Sequence, residues 1–270
     1  MTQFCSSALE AVASIQSGER VWVHSMAATP VKMLEALAKH ALSHRDIQVL
    51  QLHLEHSDSL CAPELEGHLR NRVFFAGKET RALINSDKAD YVPIFLSEIP
   101  KLFRGGEQPL DSAIIQVSPP DEHGNCSLGI SVEATKAATE VADKIIAHIN
   151  PNMPRTHGDS FIHINDIDFA YEETVPMICH EPGEISEVNR QIGENVASLI
   201  GDGACLQMGI GGIPDAVLAC LGNHRDLGIH TEMFSDGVIP LVESGVITNR
   251  NKHFHQGRII TGFCMGSQAL

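Results

Sequence analysis

The sequence predicts an α/β protein of two similar domains, each built on a mainly parallel sheet, with the second incomplete at its C-terminal end. Three observations carry this reading. Short apolar runs at Arg20–His24 and Ile47–Leu54 flank a helical stretch, the order of a βαβ unit, which implies parallel strands. The same order of helix, strand, turn and helix returns after residue 184, although no short-period repeat is present. Of the 270 residues, 43% are hydrophobic, which suits a packed core and argues against disorder.

In chain order, residues 4–18 read as a helix with Leu9, Val12 and Ala13 on its apolar side, ended by Ser17-Gly18-Glu19. The strand Arg20–His24 follows, then SMAATP, where Thr29 suits an N-cap and Pro30 a first helical position. Met33, Leu34, Leu37 and Ala41 share one helical face, and Ile47–Leu54 is the next strand. Val73–Ala76 reads as a strand, and a helix from Ile94 is broken or re-set at Pro100. Ser112–Val117 has the look of a buried strand and runs into SPPDEHGNCSLG, a loop dense in turn formers. A helix over Ser131–Ala142 and a strand over Lys144–Ile149 complete this part, with Asn150-Pro151 as the stop.

Residues 151–183 show no strong helical pattern, and the domain division is placed between 183 and 184. Ser186 then caps a helix with Val188, Ile192, Val196 and Ile200 at spacings of four. A strand Ala204–Met208, a glycine turn, a helix Pro214–Leu221 and a strand Leu227–Thr231 follow. Ile239–Ser244 reads as a short helix and Arg258–Gly262 as a strand. Ser267 suits an N-cap with no helix behind it, so the second domain is expected to be cut short.

Composition narrows the function. A formal net charge of −15 opposes polyanion binding, and one Trp with two Tyr leaves little for stacking on single strands, so no nucleic-acid partner is expected. Seven cysteines without a CxxC pair fit a reduced, cytoplasmic protein with buried structural thiols. No signal peptide and no membrane-spanning run is visible.

Two features could carry chemistry. Met208-Gly209-Ile210-Gly211-Gly212-Ile213-Pro214 lies between a strand and a helix, where glycines let free N–H groups meet a ligand. Pro214 stands where a dinucleotide fingerprint needs its third glycine, and no Walker lysine follows. An ordinary tight turn fits these residues as well. Glu232 follows the apolar run Leu227–Thr231, at a strand's carboxyl end, where open α/β sheets bind ligands. A carboxylate there can act as base, metal ligand or nucleophile, or stand solvated in a loop. Asp236, in Ser-Asp-Gly, reads as a turn former. The pairs His53/His56 and His253/His255 lack metal-site spacing, and no metal is expected. Asp121-Glu122-His123 fits either a cleft lining or a turn.

The chain resembles the acetyl-CoA hydrolase/transferase family over essentially its whole length. The markers are Ala89-Asp90-Tyr91-Val92-Pro93 with LSEIPKLF, VSPPDEHGNCSLGISVEAT, NPNMPRTHGDS, and above all QMGIGGIPDAV and GIHTEMFSDGV. The resemblance, close to 4-hydroxybutyrate and butyryl-CoA:acetate CoA-transferases, implies two domains of CoA-transferase-like fold with the active site between them. It implies ping-pong transfer of coenzyme A, as a substrate and not a permanently bound cofactor, between small carboxylic acids. Glu232 matches the family's nucleophile, Gln207 a residue near the thioester, and Gly209, Ile210, Gly211, Gly212 and Ile213 the CoA-contacting loop. A homodimer or higher oligomer is implied as well. Family members continue past position 270, and their later segment supplies further CoA contacts. An acyl-CoA hydrolase and an inactive, truncated binding protein are the competing expectations.

Overall fold

The computed structural model describes all residues, Met1 to Leu270. Two compact units are present, Met1–Ile178 and Cys179–Leu270, whereas the sequence places the division between 183 and 184.

The first unit opens with β1 (Gln3–Cys5), α1 (Ala8–Val12), β2 (Arg20–Val23), α2 (Val31–Ala41), β3 (Ile47–Gln51) and β4 (Leu69–Val73). It continues through α3 (Lys78–Asn85), β5 (Ala89–Tyr91), α4 (Ile99–Arg104), β6 (Ser112–Val117) and β7 (Asn125–Ser127). It closes with α5 (Glu133–Val141), β8 (Lys144–Ile149), β9 (Phe161–His163) and β10 (Phe169–Glu172). Eight strands form one sheet in the order β1-β10-β8-β6-β2-β3-β4-β5, and every neighbouring pair is parallel. β7 and β9 make a separate antiparallel pair.

Alternation along β2 sets the layers. Val21 and Val23 face a cluster holding Ala11, Val12 and Ile15 from α1 and its exit, and Met33, Leu34 and Leu37 of α2. Trp22 faces the opposite side. There its ring meets Phe103 of α4 at 5.2 Å, and its Nε1–H donates to Thr135 Oγ1 of α5 at 3.1 Å. β6 is buried at every position, as expected of a central parallel strand covered on both faces.

Several expectations need correction. Residues 4–18 are not one helix: β1 pairs with β10, Ser7 caps α1, and α1 ends at Val12. A ladder formed with residues 169–171 is invisible to local periodicity. Thr29 does not cap α2; its hydroxyl donates to the Met26 carbonyl at 2.7 Å and accepts the Glu55 amide at 3.1 Å. The expected strand at 73–76 lies earlier, as β4, hidden by Arg70, Asn71 and Arg72. The helix begins at Glu133, not Ser131, and the third strand stops at Gln51. Residues 151–183 hold β9 and β10, and the turn-rich loop after β6 holds β7. At Pro100 the helix is re-set: a 3-10 turn over Leu96–Glu98 precedes α4.

Two buried histidines make this unit sensitive to acid. His24 is fully buried, its Nδ1 accepting the Gln116 amide while Nε2 donates to the Ser131 carbonyl. His148 is equally buried and donates from Nε2 to the Glu173 carbonyl. Burial lowers both from the ordinary histidine range, against the opposing pull of Glu133 and Glu173 respectively. Their full contribution is present above the unfolded histidine value, roughly 6.5, and declines as pH falls below it. Each group costs about 1.4 kcal/mol per pH unit until its folded value is reached. Denaturant midpoints are expected to drop between pH 7.5 and pH 5.5. A His148→Gln variant should show a shallower pH slope; an unchanged slope would contradict the assignment.

The second unit contains α6 (Glu187–Ala197), β11 (Cys205–Leu206), α7 (Gly212–Ala219), β12 (Gly228–Ile229), β13 (Met233–Phe234), α8 (Ile239–Glu243) and β14 (Phe263–Cys264). β11 pairs with β12 and β13 with β14, both parallel. Parallel bridges Leu227–Ile247 and His230–Ile260 join the far side of the β12 strand. The expected strand at 258–262 is therefore only a bridge, and its ladder forms later, at β14. Ser186 does cap α6, accepting the Asn189 amide at 3.2 Å. Of the stripe Val188–Ile192–Val196–Ile200, Val188 and Val196 are exposed, Ile192 is half-buried and Ile200 packs against the core cluster; the helix buries Gly193 and Ala197. A Cβ at Gly193 would lie 2.7 Å from the Ala216 backbone, so the small residues let α6 press directly on α7. Ser267 caps no helix: its amide and hydroxyl both donate to the Asp236 carboxylate.

The two units repeat one local design. His44-Arg45-Asp46 precedes β3 and His224-Arg225-Asp226 precedes β12, with both aspartates left-handed at φ 56° and 55°. Gly18 donates to the Arg45 carbonyl at 2.9 Å, and Gly203 to the Arg225 carbonyl at 2.8 Å. Gln48 donates to Glu19, and Gly228 to Ala204, both at 2.9 Å. α6, β11, α7 and β12 thus correspond to α1, β2, α2 and β3.

Candidate active site

β11 and β12 run parallel, so their carboxyl ends meet at one edge. From β11 the chain passes through Gln207 and Met208 into the glycine turn. From β12 it passes through His230 and Thr231 to Glu232. The two exits are tied together: His230 donates its amide to the Leu206 carbonyl at 3.0 Å. Thr231 Oγ1 accepts the Met208 amide at 2.7 Å, and its proton can go to the Met208 or the Met233 carbonyl.

Glu232 is held by its backbone and free at its side chain. Its carbonyl accepts from the Gly262 and Phe263 amides at 3.0 and 3.2 Å and from Thr261 Oγ1 at 3.0 Å. The residue is exposed. A fixed backbone with a solvent-facing carboxylate suits a group that must meet an incoming molecule.

The turn opposite is built on glycine geometry. Gly211 has φ 118°, which side-chain-bearing residues rarely adopt, and a Cβ at Gly212 would lie 2.4 Å from Asn189 Nδ2. α7 starts at Gly212, so Pro214 is its third residue and not its first. The amides of Gly212 and Ile213 are then in the first turn, where the helix itself supplies no acceptor. Gln207, Gly209, Ile210, Gly212 and Ile213 are exposed, and Gly211 is half-buried. The turn therefore offers accessible donors where developing negative charge would be stabilised.

Sequence reasoning missed the residues that hold this edge together. Ser235 Oγ donates to Asp215 Oδ1 at 2.9 Å, clamping the segment after Glu232 to the first turns of α7. Lys252 is buried, and its Nζ donates to the carbonyls of Ile229 and Arg258, each at 2.7 Å. Burial lowers its basicity, opposed by Cys205. Gly228 leaves room for it: a Cβ there would sit 2.7 Å from Lys252 Cγ. The one signal available was a lysine in a run of polar residues, which carries no mark of burial.

The other candidates resolve otherwise. Asp121 makes a turn: it accepts the His123 and Asn125 amides at 2.9 and 2.8 Å and pairs with Arg155 at 3.0 Å. The Asn125 amide first, then the His123 amide and Arg155, hold its carboxyl below the usual range. His53 Nε2 contacts Glu55 Oε1 at 3.2 Å, and His255 packs edge-on to Phe254. No cluster of three or more His, Cys, Asp or Glu side chains is arranged to hold a metal ion. No disulfide joins the cysteines; Cys126 is buried, but Cys179 and Cys205 are exposed, against the expectation of buried thiols. Burial pushes the Cys61, Cys126 and Cys264 thiols up to about 11.

Known proteins resemble this chain in sequence and fold. Residues 2–179 match the model of the acetyl-CoA hydrolase/transferase N-terminal domain. The chain belongs to the acetyl-CoA hydrolase/transferase family. Within it, the chain is 44% identical to the 4-hydroxybutyrate coenzyme A transferase of Clostridium kluyveri, over 98% of this chain and 62% of that protein. It is 43% identical to a succinyl-CoA:acetate/propanoyl-CoA:succinate CoA transferase of Fasciola hepatica, over 99% of this chain and 56% of the relative. The crystal structure of RipA from Yersinia pestis superposes with a TM-score of 0.94 at 32% identity, covering 99% of this chain and 64% of that one. The chain thus spans about three fifths of the length of these family members. No helix is long and apolar enough to cross a membrane.

Proposed function

We propose that the chain carries the nucleophile and part of the coenzyme A site of a CoA-transferase, exchanging CoA between a short-chain acyl-CoA and a carboxylate such as acetate. 4-Hydroxybutyryl-, butyryl- and acetyl-CoA are the donors the family reading favours. The observation that carries this is the exposed Glu232 carboxylate at the same strand edge as the glycine turn, with Thr231 bonded to Met208 between them.

The Glu232 carboxylate attacks the thioester carbon, and CoA thiolate leaves, giving a mixed anhydride. The thiolate attacks the glutamyl carbonyl and expels the first carboxylate, leaving a glutamyl–CoA thioester. An acceptor carboxylate then attacks that thioester, and the released thiolate takes the acceptor's acyl group, restoring Glu232. No proton moves, because a carboxylate nucleophile carries no proton to remove and needs no general base. Each attack builds an oxyanion. The amides of Gly209–Ile213 and the Gln207 side chain are the donors for it, and one well-placed donor is worth about 3 kcal/mol. Coenzyme A enters as substrate, with no permanently bound cofactor. A cytoplasmic homodimer or larger oligomer completes the reading.

The exposure of Glu232 also admits water, which favours acyl-CoA hydrolysis as the second reading. Turnover of butyryl-CoA with and without acetate separates them. A transferase shows acetate-dependent loss of butyryl-CoA with acetyl-CoA formed in equal amount; acetate-independent release of free CoA would point to hydrolysis.

A further inference from the structure

One buried charge beside the strand that leads to Glu232 takes no part in the proposed chemistry. Lys252 is 4% exposed, and its ammonium donates to the Ile229 and Arg258 carbonyls, each at 2.7 Å. Two carbonyls hold it, and no carboxylate does. An ammonium kept from water without an opposite charge is costly, and an apolar chain of similar length would fill the same space without that cost.

The first unit shows what the charge replaces. There β4 runs along the outer side of β3 for five residues, Leu69–Val73 against Ile47–Gln51. β12 corresponds to β3, but its outer side has only the single bridges Leu227–Ile247 and His230–Ile260. Ile229, lying between them, is met mainly by side chains. Asn249 Oδ1 accepts its amide at 2.8 Å, and Lys252 Nζ donates to its carbonyl, which accepts the Ile260 amide only at a longer 3.3 Å. Two side chains of one loop thus stand where the first unit has a strand. The loop is shaped for this. Asn249 is left-handed at φ 58°, and its carbonyl accepts the Gly257 amide at 2.9 Å. A Cβ at Gly228 would lie 2.7 Å from Lys252 Cγ, so only glycine leaves room for the lysine stem.

Both partners of the ammonium lead to Glu232. Ile229 stands three residues before it. Arg258 leads into Ile260, whose carbonyl accepts the Thr231 amide at 2.9 Å, and then into Gly262 and Phe263, whose amides hold the Glu232 carbonyl. Lys252 therefore ties together, at their base, the two segments that close around Glu232. We propose that Lys252 is a positioning residue for the nucleophile: its ammonium fixes the 258–263 segment against β12 and so aims Glu232 beside the glycine turn. This rests on the reading of Glu232 as the nucleophile. The effect on rate is large because a displacement of about 1 Å at a reacting group costs about a hundredfold.

Lys252→Met keeps the stem and removes the ammonium. Capture of CoA from butyryl-CoA, followed by intact mass, is expected to slow about a hundredfold, with the butyryl-CoA concentration for half-maximal rate unchanged. Hydrogen exchange at the Thr231, Gly262 and Phe263 amides should rise about tenfold, while the α7 amides keep their rates. Lys252→Arg retains a cation that can donate to both carbonyls and should stay within about tenfold of the original rate. Lys252→Ala should recover with propylammonium chloride and not with tetramethylammonium, which has no N–H to donate. Capture at the original rate in Lys252→Met, a loss confined to the half-saturating concentration, equal slowing in Lys252→Arg, or a rise in exchange spread evenly over the second unit would each overturn the proposal. Should the original chain capture no CoA, the nucleophile reading fails on its own, and the exchange pattern still decides whether Lys252 holds this edge.

Discussion

Glu232→Gln is expected to reduce acyl-CoA turnover by roughly a thousandfold or more, because the amide keeps the shape of the side chain and loses the nucleophilic oxygen. Stability should shift by no more than about 0.5 kcal/mol, the usual range for an exposed site. The backbone bonds to Gly262 and Phe263, which fix the residue, do not involve the side chain. Steady-state assays with butyryl-CoA and acetate, alongside thermal melting, give both numbers. Turnover within tenfold of the original chain would remove Glu232 from the nucleophile's role.

Trp22→Ala is expected to cost about 3–5 kcal/mol, the range for truncating a large buried aromatic. Trp22 is fully buried on β2, between rings of Phe103 at 5.2 Å and Phe74 at 6.3 Å. The substitution opens a cavity where β2, α4 and α5 meet and strands the Thr135 hydroxyl. Trp22→Phe keeps most of the packing and loses the hydrogen bond, for a cost nearer ~1 kcal/mol. Denaturant midpoints of the first unit measure both. A near-neutral alanine variant would contradict the placement of Trp22 at the centre of that layer.

The elements that sequence reasoning located well are those whose signal is local. β6 and β8 are continuous apolar runs, and the buried face of α2 is the one its periodicity gives. β1 and β10 were invisible because they are defined by ladders to distant residues, β1 to β10 and β10 to both β1 and β8. β4 was hidden by its composition: Asn71 is buried, and its amide is satisfied by Leu60 and Gln51. The stripe on α6 was found by periodicity, yet in it Val188 and Val196 are exposed and Ile200 packs on the core cluster. Periodicity identifies an apolar face but not what covers it, and Gly193 and Ala197 bring α7 against the other face.

At the candidate site, the strand–turn–helix order around the glycines and the strand before Glu232 were legible from local pattern. The nearness of Glu232 to the turn depends on the register of β11 against β12, and that register is held by the His230 amide on the Leu206 carbonyl and by Thr231 on Met208, while Asn249 fixes β12 from its other side. Asn249 Oδ1 accepts the Ile229 amide at 2.8 Å from a left-handed residue at φ 58°. The duplication of the His-Arg-Asp turn was likewise present in the sequence but spans too few residues to stand out before the matching hydrogen bonds are seen.

The central claim is that Glu232 captures coenzyme A covalently, and the intact mass of the chain after incubation with butyryl-CoA tests it most directly. The account predicts an adduct with the mass of CoA less water, mapped by peptide sequencing to Glu232 and released by hydroxylamine. An adduct on another residue, or an equal adduct on the Glu232→Gln variant, would contradict it.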